Sequence, residues 1–284
     1  TRDQPKNYAE SQFGFELALV DKTNPQFDEV VAVPPRFLEP GASVQHPNLP
    51  FRVTTKQFFP NSALLTPAVF QSLRGTTAQV PPSAATAGDG PQIVAVSQSL
   101  TYKPDERNVP SAFVELIGAE GSLGTWLVSQ AGIQVDPNPR ARQRRFLPQT
   151  VNHAGRTWEI ELRPARAYKP FTLTLLKFSH DKYAGTDTPK NFSSKIQLTT
   201  PDGRDDREVD ISMNNPLRHD GLTFYQASYD PEDPDVTILQ VVRNPSWLMP
   251  YVSCALMTLG LLWQFGFHLF GFVQKRRSVR PALA

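Results

Sequence analysis

One cysteine, Cys254, is all that the 284 residues contain, and it lies inside a long apolar run near the C-terminus. The rest of the chain has no thiol with which to form a disulfide, so its fold must be held by its core. Without Cys-x-x-Cys or Cys-x-x-Cys-His the chain is neither a thiol oxidoreductase of that type nor itself a c-type cytochrome. Histidine is scarce too. No two of His46, His153, His180, His219 and His268 are spaced to share a helical or strand face, which excludes a zinc motif and leaves no metal site. The four before the apolar run are expected on the surface or in turns. Gly-x-Ser-x-Gly, P-loop, Rossmann and His-Glu-x-x-His patterns are also missing, so no catalytic residue can be named. Asp205-Asp206, between Arg204 and Arg207, read as solvated turn charges rather than catalytic carboxylates.

Charge is missing from Trp247 to Val273, where no Asp, Glu, Lys or Arg occurs. At about 1.5 Å per helical residue this run exceeds the ~30 Å hydrocarbon core of a bilayer and predicts a transmembrane helix over 247–273. Lys275, Arg276, Arg277 and Arg280 follow it, whereas Asp230, Glu232, Asp233 and Asp235 precede it. That asymmetry places the basic tail, 274–284, in the cytoplasm and residues 1–246 on the outer side of the membrane. Nucleic acid is not expected as a partner there. Trp247 and Tyr251 suit the outer headgroup level. A domain outside, followed by a helix that ends inside, calls for an upstream export segment, so the chain is expected to be the C-terminal part of a longer membrane protein.

Long amphipathic helices are lacking from 1–246, and 27 prolines argue against them. Present instead are segments of period two, rich in β-branched and aromatic residues and separated by Pro, Gly, Asn and Asp. Strands are expected over 15–20, 51–58, 93–102, 112–117, 125–129, 157–162, 171–178, 194–199, 208–213, 223–229 and 237–242. Roughly eleven such strands predict a mainly β domain, sandwich-like or an open barrel. A short helix is expected around 62–73, interrupted by Pro67. Residues 75–90, with Pro81-Pro82 and a run of small residues, read as a loose surface loop or a subdomain boundary.

Two features carry chemistry. The run Pro139-Arg140-Ala-Arg142-Gln-Arg144-Arg145 is a solvated turn or, in the sharper reading, an anion site, since guanidinium groups bind carboxylates in bidentate fashion. Within the predicted helix, Ser253, Met257, Gly260, Gln264, His268 and Gly271 follow at steps of three and four and draw one stripe. Small and polar residues in such a stripe pack against other membrane helices. His268, an ionisable residue within the helix, is the candidate cofactor ligand.

Several words resemble the ResB-like cytochrome c biogenesis family. They are Lys177-Phe-Ser-His180-Asp-Lys-Tyr183-Ala-Gly185-Thr, Pro189-Lys-Asn-Phe192-Ser-Ser194, Met213-Asn-Asn-Pro216-Leu-Arg218, Gly221-Leu-Thr-Phe224-Tyr225-Gln-Ala-Ser-Tyr229 and Leu239-Gln-Val-Val-Arg243-Asn-Pro245. Phe15-Glu-Leu17, Leu49-Pro-Phe51, Phe59-Pro-Asn-Ser62 and Gly124-Thr-Trp126 are similar as well, so the likeness extends over nearly the whole chain. Asn214-Asn215-Pro216 and Asp220-Gly221 read as turns framing a strand in which Phe224 and Tyr225 face opposite sides, with Tyr225 and Tyr229 expected in the core.

The resemblance implies a component of a cytochrome c maturation complex that works with a ResC/CcsA-type membrane partner, bringing haem to the outer face and joining it to apocytochrome c. Haem is then expected in the full complex and not in the isolated outer domain. The arginine run could meet haem propionates or lipid headgroups, and His268 the haem iron. The family's upstream helices, with their membrane histidine, are not in this sequence, and no haem ligand can be carried over. The alternative is a membrane-anchored β module that binds another envelope protein or ligand.

Overall fold

The computed structural model describes residues 2–75, 77–103, 105–138, 141–182, 189–229, 233 and 235–279, and only the backbone at 181, 182, 189–191 and 277–279. Arg140 and residues 183–188 and 280–284, which include parts of the words and tail singled out above, lie outside the described residues. The fold is mainly β with one long C-terminal helix, as expected. It divides into two units, residues 8–168 and residues 1–7 with 169–284.

The unit of residues 8–168 begins with β1 (Lys6–Asp21), β2 (Glu29–Val33), β3 (Ser43–Val44), β4 (Arg52–Phe59) and β5 (Ser62–Leu65), then α1 (Pro67–Arg74). It continues with β6 (Val94–Ser97), β7 (Ser111–Gly118), β8 (Gly121–Ser129), β9 (Ile133–Gln134), β10 (Gln149–His153) and the first part of β11 (Arg156–Lys182), which runs on into the other unit. β2, β1, β11 and β10 form one sheet, β3, β4, β7 and β8 a second, and β6, β5 and β9 a third. Leu17, Leu19, Trp158 and Ile160 from the first sheet and Val53, Val114, Leu116 and Val128 from the second share one core. The other face of the second sheet is covered as well. Phe113 and Leu127 join Leu64, Ala85, Ile93 and Ile133 in another cluster. This double burial explains why 112–114 and 126–128 read as continuous apolar runs rather than alternating ones.

Two local expectations are corrected. Residues 62–65 are strand, and Pro67 opens the helix instead of interrupting it. Thr66 caps α1 by accepting the Val69 N–H, and Pro67 sits at a position where a missing N–H costs nothing. The stretch 75–90 is not a loose loop throughout. Ala85 is buried, Thr86 and Ala87 donate their N–H groups to the Thr125 carbonyl, and the Asp89 N–H bonds Gln149 Oε1. Gly88, at φ 67°, lies so close to the Trp126 ring that a Cβ would stand 2.9 Å from it.

Asp21, at the end of β1, is buried. Burial alone would raise its carboxyl, but bonds from the Thr23 side chain and N–H and from the Arg156 guanidinium hold it below its ordinary value. A carboxyl whose folded value is depressed adds stability above its unfolded value, about 3.9, and loses it as the pH falls through the folded value. Going from about pH 5 to about pH 3 should therefore destabilise the native chain more than an Asp21→Asn variant, as read from thermal melts at the two pH values. Equal losses would discount this carboxylate.

The second unit holds the rest of β11, β12 (Pro189–Thr199), β13 (Asp206–Ser212), β14 (Leu217–His219), β15 (Leu222–Tyr229), β16 (Thr237–Arg243) and α2 (Met249–Val279). β11, β12 and β13 pair in order, and β14, β15 and β16 form a separate sheet with β16 at one edge. Phe171, Leu175, Ile196, Leu198, Ile211, Leu217, Leu222 and Phe224 make its core. Asp220 and Gly221, at φ 49° and 68°, form the two-residue turn of the β14–β15 hairpin, the positive pair that an Asp-Gly dipeptide adopts readily. Met249–Arg276 of α2 is long and apolar enough to cross a membrane.

Candidate functional site

The arginine run lies directly after β9 and is anchored to it. The Ile133 N–H donates to the Arg144 carbonyl at 2.6 Å and the Arg144 N–H to the Ile133 carbonyl at 2.9 Å. The chain then turns Arg145, Phe146, Leu147 and Pro148 along one side of a cavity of about 330 Å³. Val128, Ala131, Ile160 and Leu162 supply apolar lining, and Arg107, Gln130 and Arg163 supply polar lining. Of the three described arginines of the run, Arg142, Arg144 and Arg145, the last alone lines the cavity. Arg142 and Arg144 are exposed beside it.

Arg163 is held in place. Its Nε donates to Glu16 Oε1 at 3.0 Å and its Nη1 to Glu161 Oε1 at 2.9 Å, with the side chain 5% exposed. Burial alone would lower its pKa, but the bonds to Glu161 and Glu16 prevail and raise it above the ordinary arginine value. Arg107 and Arg145 take part in no ion pair among the described residues.

On α2 the stripe is only partly assembled. Gln264 Nε2 lies 3.1 Å from His268 Nε2, one helical turn away. The pair can share one hydrogen bond between the amide and the ring along the helix face. The Ser253 hydroxyl donates to the Met249 carbonyl of its own helix at 2.9 Å. Met257 is exposed, and a Cβ added at Gly260 or Gly271 would meet nothing within 4 Å. Every α2 side chain from Met249 to Arg276 is exposed, so the stripe has no neighbour upon it among the described residues.

Two histidines depart from the expected surface positions. The His180 ring packs 4.8 Å from both Phe192 and Tyr229, and its buried Nε2 has no hydrogen-bond partner among the described residues. The sequence held a signal for this. Phe178 and His180 share a strand face, and the pairing of β11 with β12 sets His180 opposite Phe192. His219 rests edge-on against Phe171 at 4.7 Å, with Nδ1 3.4 Å from Asp205 Oδ2. Phe224 is buried and Tyr225 exposed, as the alternation of β15 requires, so Tyr225 is not a core residue, whereas Tyr229 packs in the His180 cluster.

The profile of the ResB-like family matches residues 131–238, from just before β9 to the start of β16. Protein NrfI of Wolinella succinogenes is 37% identical over 94 residues, which are 33% of this chain and 10% of that protein. The cytochrome c biogenesis proteins CcsB of Prochlorococcus marinus and of Picosynechococcus sp. are 33% and 28% identical over 97 and 95 residues, or 34% of this chain each. Those stretches amount to 21% and 20% of the two relatives, so the alignments cover only a small part of their lengths. The family match includes Arg142, Arg144, Arg145 and the His180 cluster, and ends before α2. Over residues 131–238 the chain is therefore ResB-like, a ResB/CcsB-type relative of cytochrome c biogenesis proteins.

Proposed function

We propose that this chain is the outer β region and last membrane helix of a ResB-type component of a cytochrome c maturation complex. Its role is to scaffold and guide apocytochrome c beside a ResC/CcsA-type, haem-handling partner in the inner membrane. The observation that carries the reading is the ResB-like stretch 131–238 followed closely by an apolar helix whose small and polar stripe lies uncovered. A helix face of this kind gains packing only from another helix, because lipid tails fill it poorly. By the excess of Lys and Arg after α2, the tail lies inside and the β units outside. β16, an edge strand just ahead of α2, offers unpaired main-chain groups to an extended apocytochrome segment near the membrane surface. Haem belongs to the assembled complex in this reading.

Affinity purification of the tagged full-length chain from membranes tests it. The partner and a haem Soret band are expected to co-purify with the native chain and with Leu259→Ala. Gly260→Leu, which places a side chain where a backbone would approach, is expected to lower both several-fold. An absence of haem from the native preparation, or loss with Leu259→Ala but not Gly260→Leu, would sink the reading and favour a β module with another envelope ligand.

A further inference from the structure

We infer that the cavity between β8, the segment after β9 and β11 binds a small monocarboxylate with an apolar body. The lining divides by chemistry. Leu147 is 58% exposed, and Phe146, Pro148 and Pro164 are half-buried, so these walls present apolar surface that favours an apolar body and offers nothing to a bare inorganic anion. Three guanidinium groups and one carboxylate also line the space. Arg163 and Glu161 satisfy each other, which leaves Arg107 and Arg145 as exposed cations without an ionic partner among the described residues. A guanidinium fork matches the two oxygens of a carboxylate, and the charge makes each hydrogen bond stronger than a neutral one.

A third donor lies in the wall. Gln130 lines the cavity, and its Nε2 is buried without a hydrogen-bond partner among the described residues. An unmet amide of this kind is stabilised by any oxygen to which the side chain can turn. The volume, about 330 Å³, is at the lower end of small-molecule sites and about twice the ~150 Å³ cavity that admits benzene. It suits a ligand of roughly a dozen non-hydrogen atoms. The inference stands on this cavity alone and is independent of the role proposed above.

Saturation-transfer NMR on the full-length chain in phosphatidylcholine nanodiscs tests it with 4-phenylbutyrate as the probe, and with 4-phenylbutyramide and 4-phenylbutylamine as its neutral and cationic counterparts. Saturable binding is expected for the carboxylate, with at least about tenfold weaker binding of the amide and none of the amine. The double variant Arg107→Gln/Arg145→Gln changes two exposed side chains, should melt like the native chain, and should bind the carboxylate at least about tenfold more weakly. Equal binding of amide or amine, binding unchanged in the double variant, or no saturation by about 10 mM would each overturn the inference.

Discussion

Replacing Arg163 with alanine is expected to lower the melting temperature of the unit of residues 8–168 by about 6–20 °C, the counterpart of about 3–5 kcal/mol. The side chain is 5% exposed, and it compensates Glu16, itself 11% exposed, and Glu161. Without it, Glu16 keeps, among the described residues, only a long bond from the Arg166 N–H, at 3.4 Å, and its charge stays buried. A buried charge left without its partner is far costlier than the pair is stabilising, so removing both should cost less than removing one. Glu16→Gln/Arg163→Met should recover most of the loss. Thermal melts of the full-length chain in detergent, followed by circular dichroism, read both. A shift under about 2 °C for Arg163→Ala, or a double variant worse than the single one, would mean that water or another group compensates Glu16.

Much of the β architecture could be read from strand patterning, because each expected strand overlaps an observed one, although of 93–102 only Val94–Ser97 is strand. What alternation could not give is continuity. Residues 157–162 and 171–178 were expected as two strands, since Pro164 and Pro170 stand between them and proline lacks a ladder donor. They are parts of β11, whose pairing partner changes along its length, from β10 over Arg156–Ile160 to β12 from Thr172 onwards. The prolines fall where neither of these two ladders needs an N–H. Of the strands that were not expected, β3, β9 and β14 are two or three residues long and carry too few residues to set a period, whereas β2, β5 and β10, of five, four and five residues, were missed as well. The buried part of 75–90 was hidden for a different reason. Small residues such as Ala85 and Gly88 pack by letting other groups approach, and a reading based on large apolar residues does not register that.

The candidate sites were legible to different degrees. The α2 stripe is local, so helical spacing alone brought Gln264 and His268 together. The cavity is assembled from residues 107–109, 128–132, 145–148 and 160–164, and no single segment carries its pattern. Arg145 stood out only as a member of a charge run, and Arg107 did not stand out at all. The placement of His180 depended on the register between β11 and β12, which fixes its cross-strand neighbour and which no spacing within one strand reveals.

Trp158→Ala is the second large effect, with an expected loss of about 3–5 kcal/mol in the same unit. The indole is 1% exposed, stands edge-on to Phe51 at 5.4 Å, and shares the core with Leu17, Leu19 and Val151. Alanine would leave a cavity that strands fixed by their ladders on either side cannot close. Trp158→Phe should behave otherwise. It keeps an aromatic ring against Phe51 and removes Nε1, a buried donor without a hydrogen-bond partner among the described residues. Burying such a group unmet costs about 1–3 kcal/mol, so its removal offsets most of the packing lost with the smaller ring. The shift in melting temperature for phenylalanine should be less than about a third of that for alanine. Were the two equal, the Nε1 hydrogen must be bonded in the native protein, through a buried water for instance, and the indole would then be held by its polar end as well as by its faces.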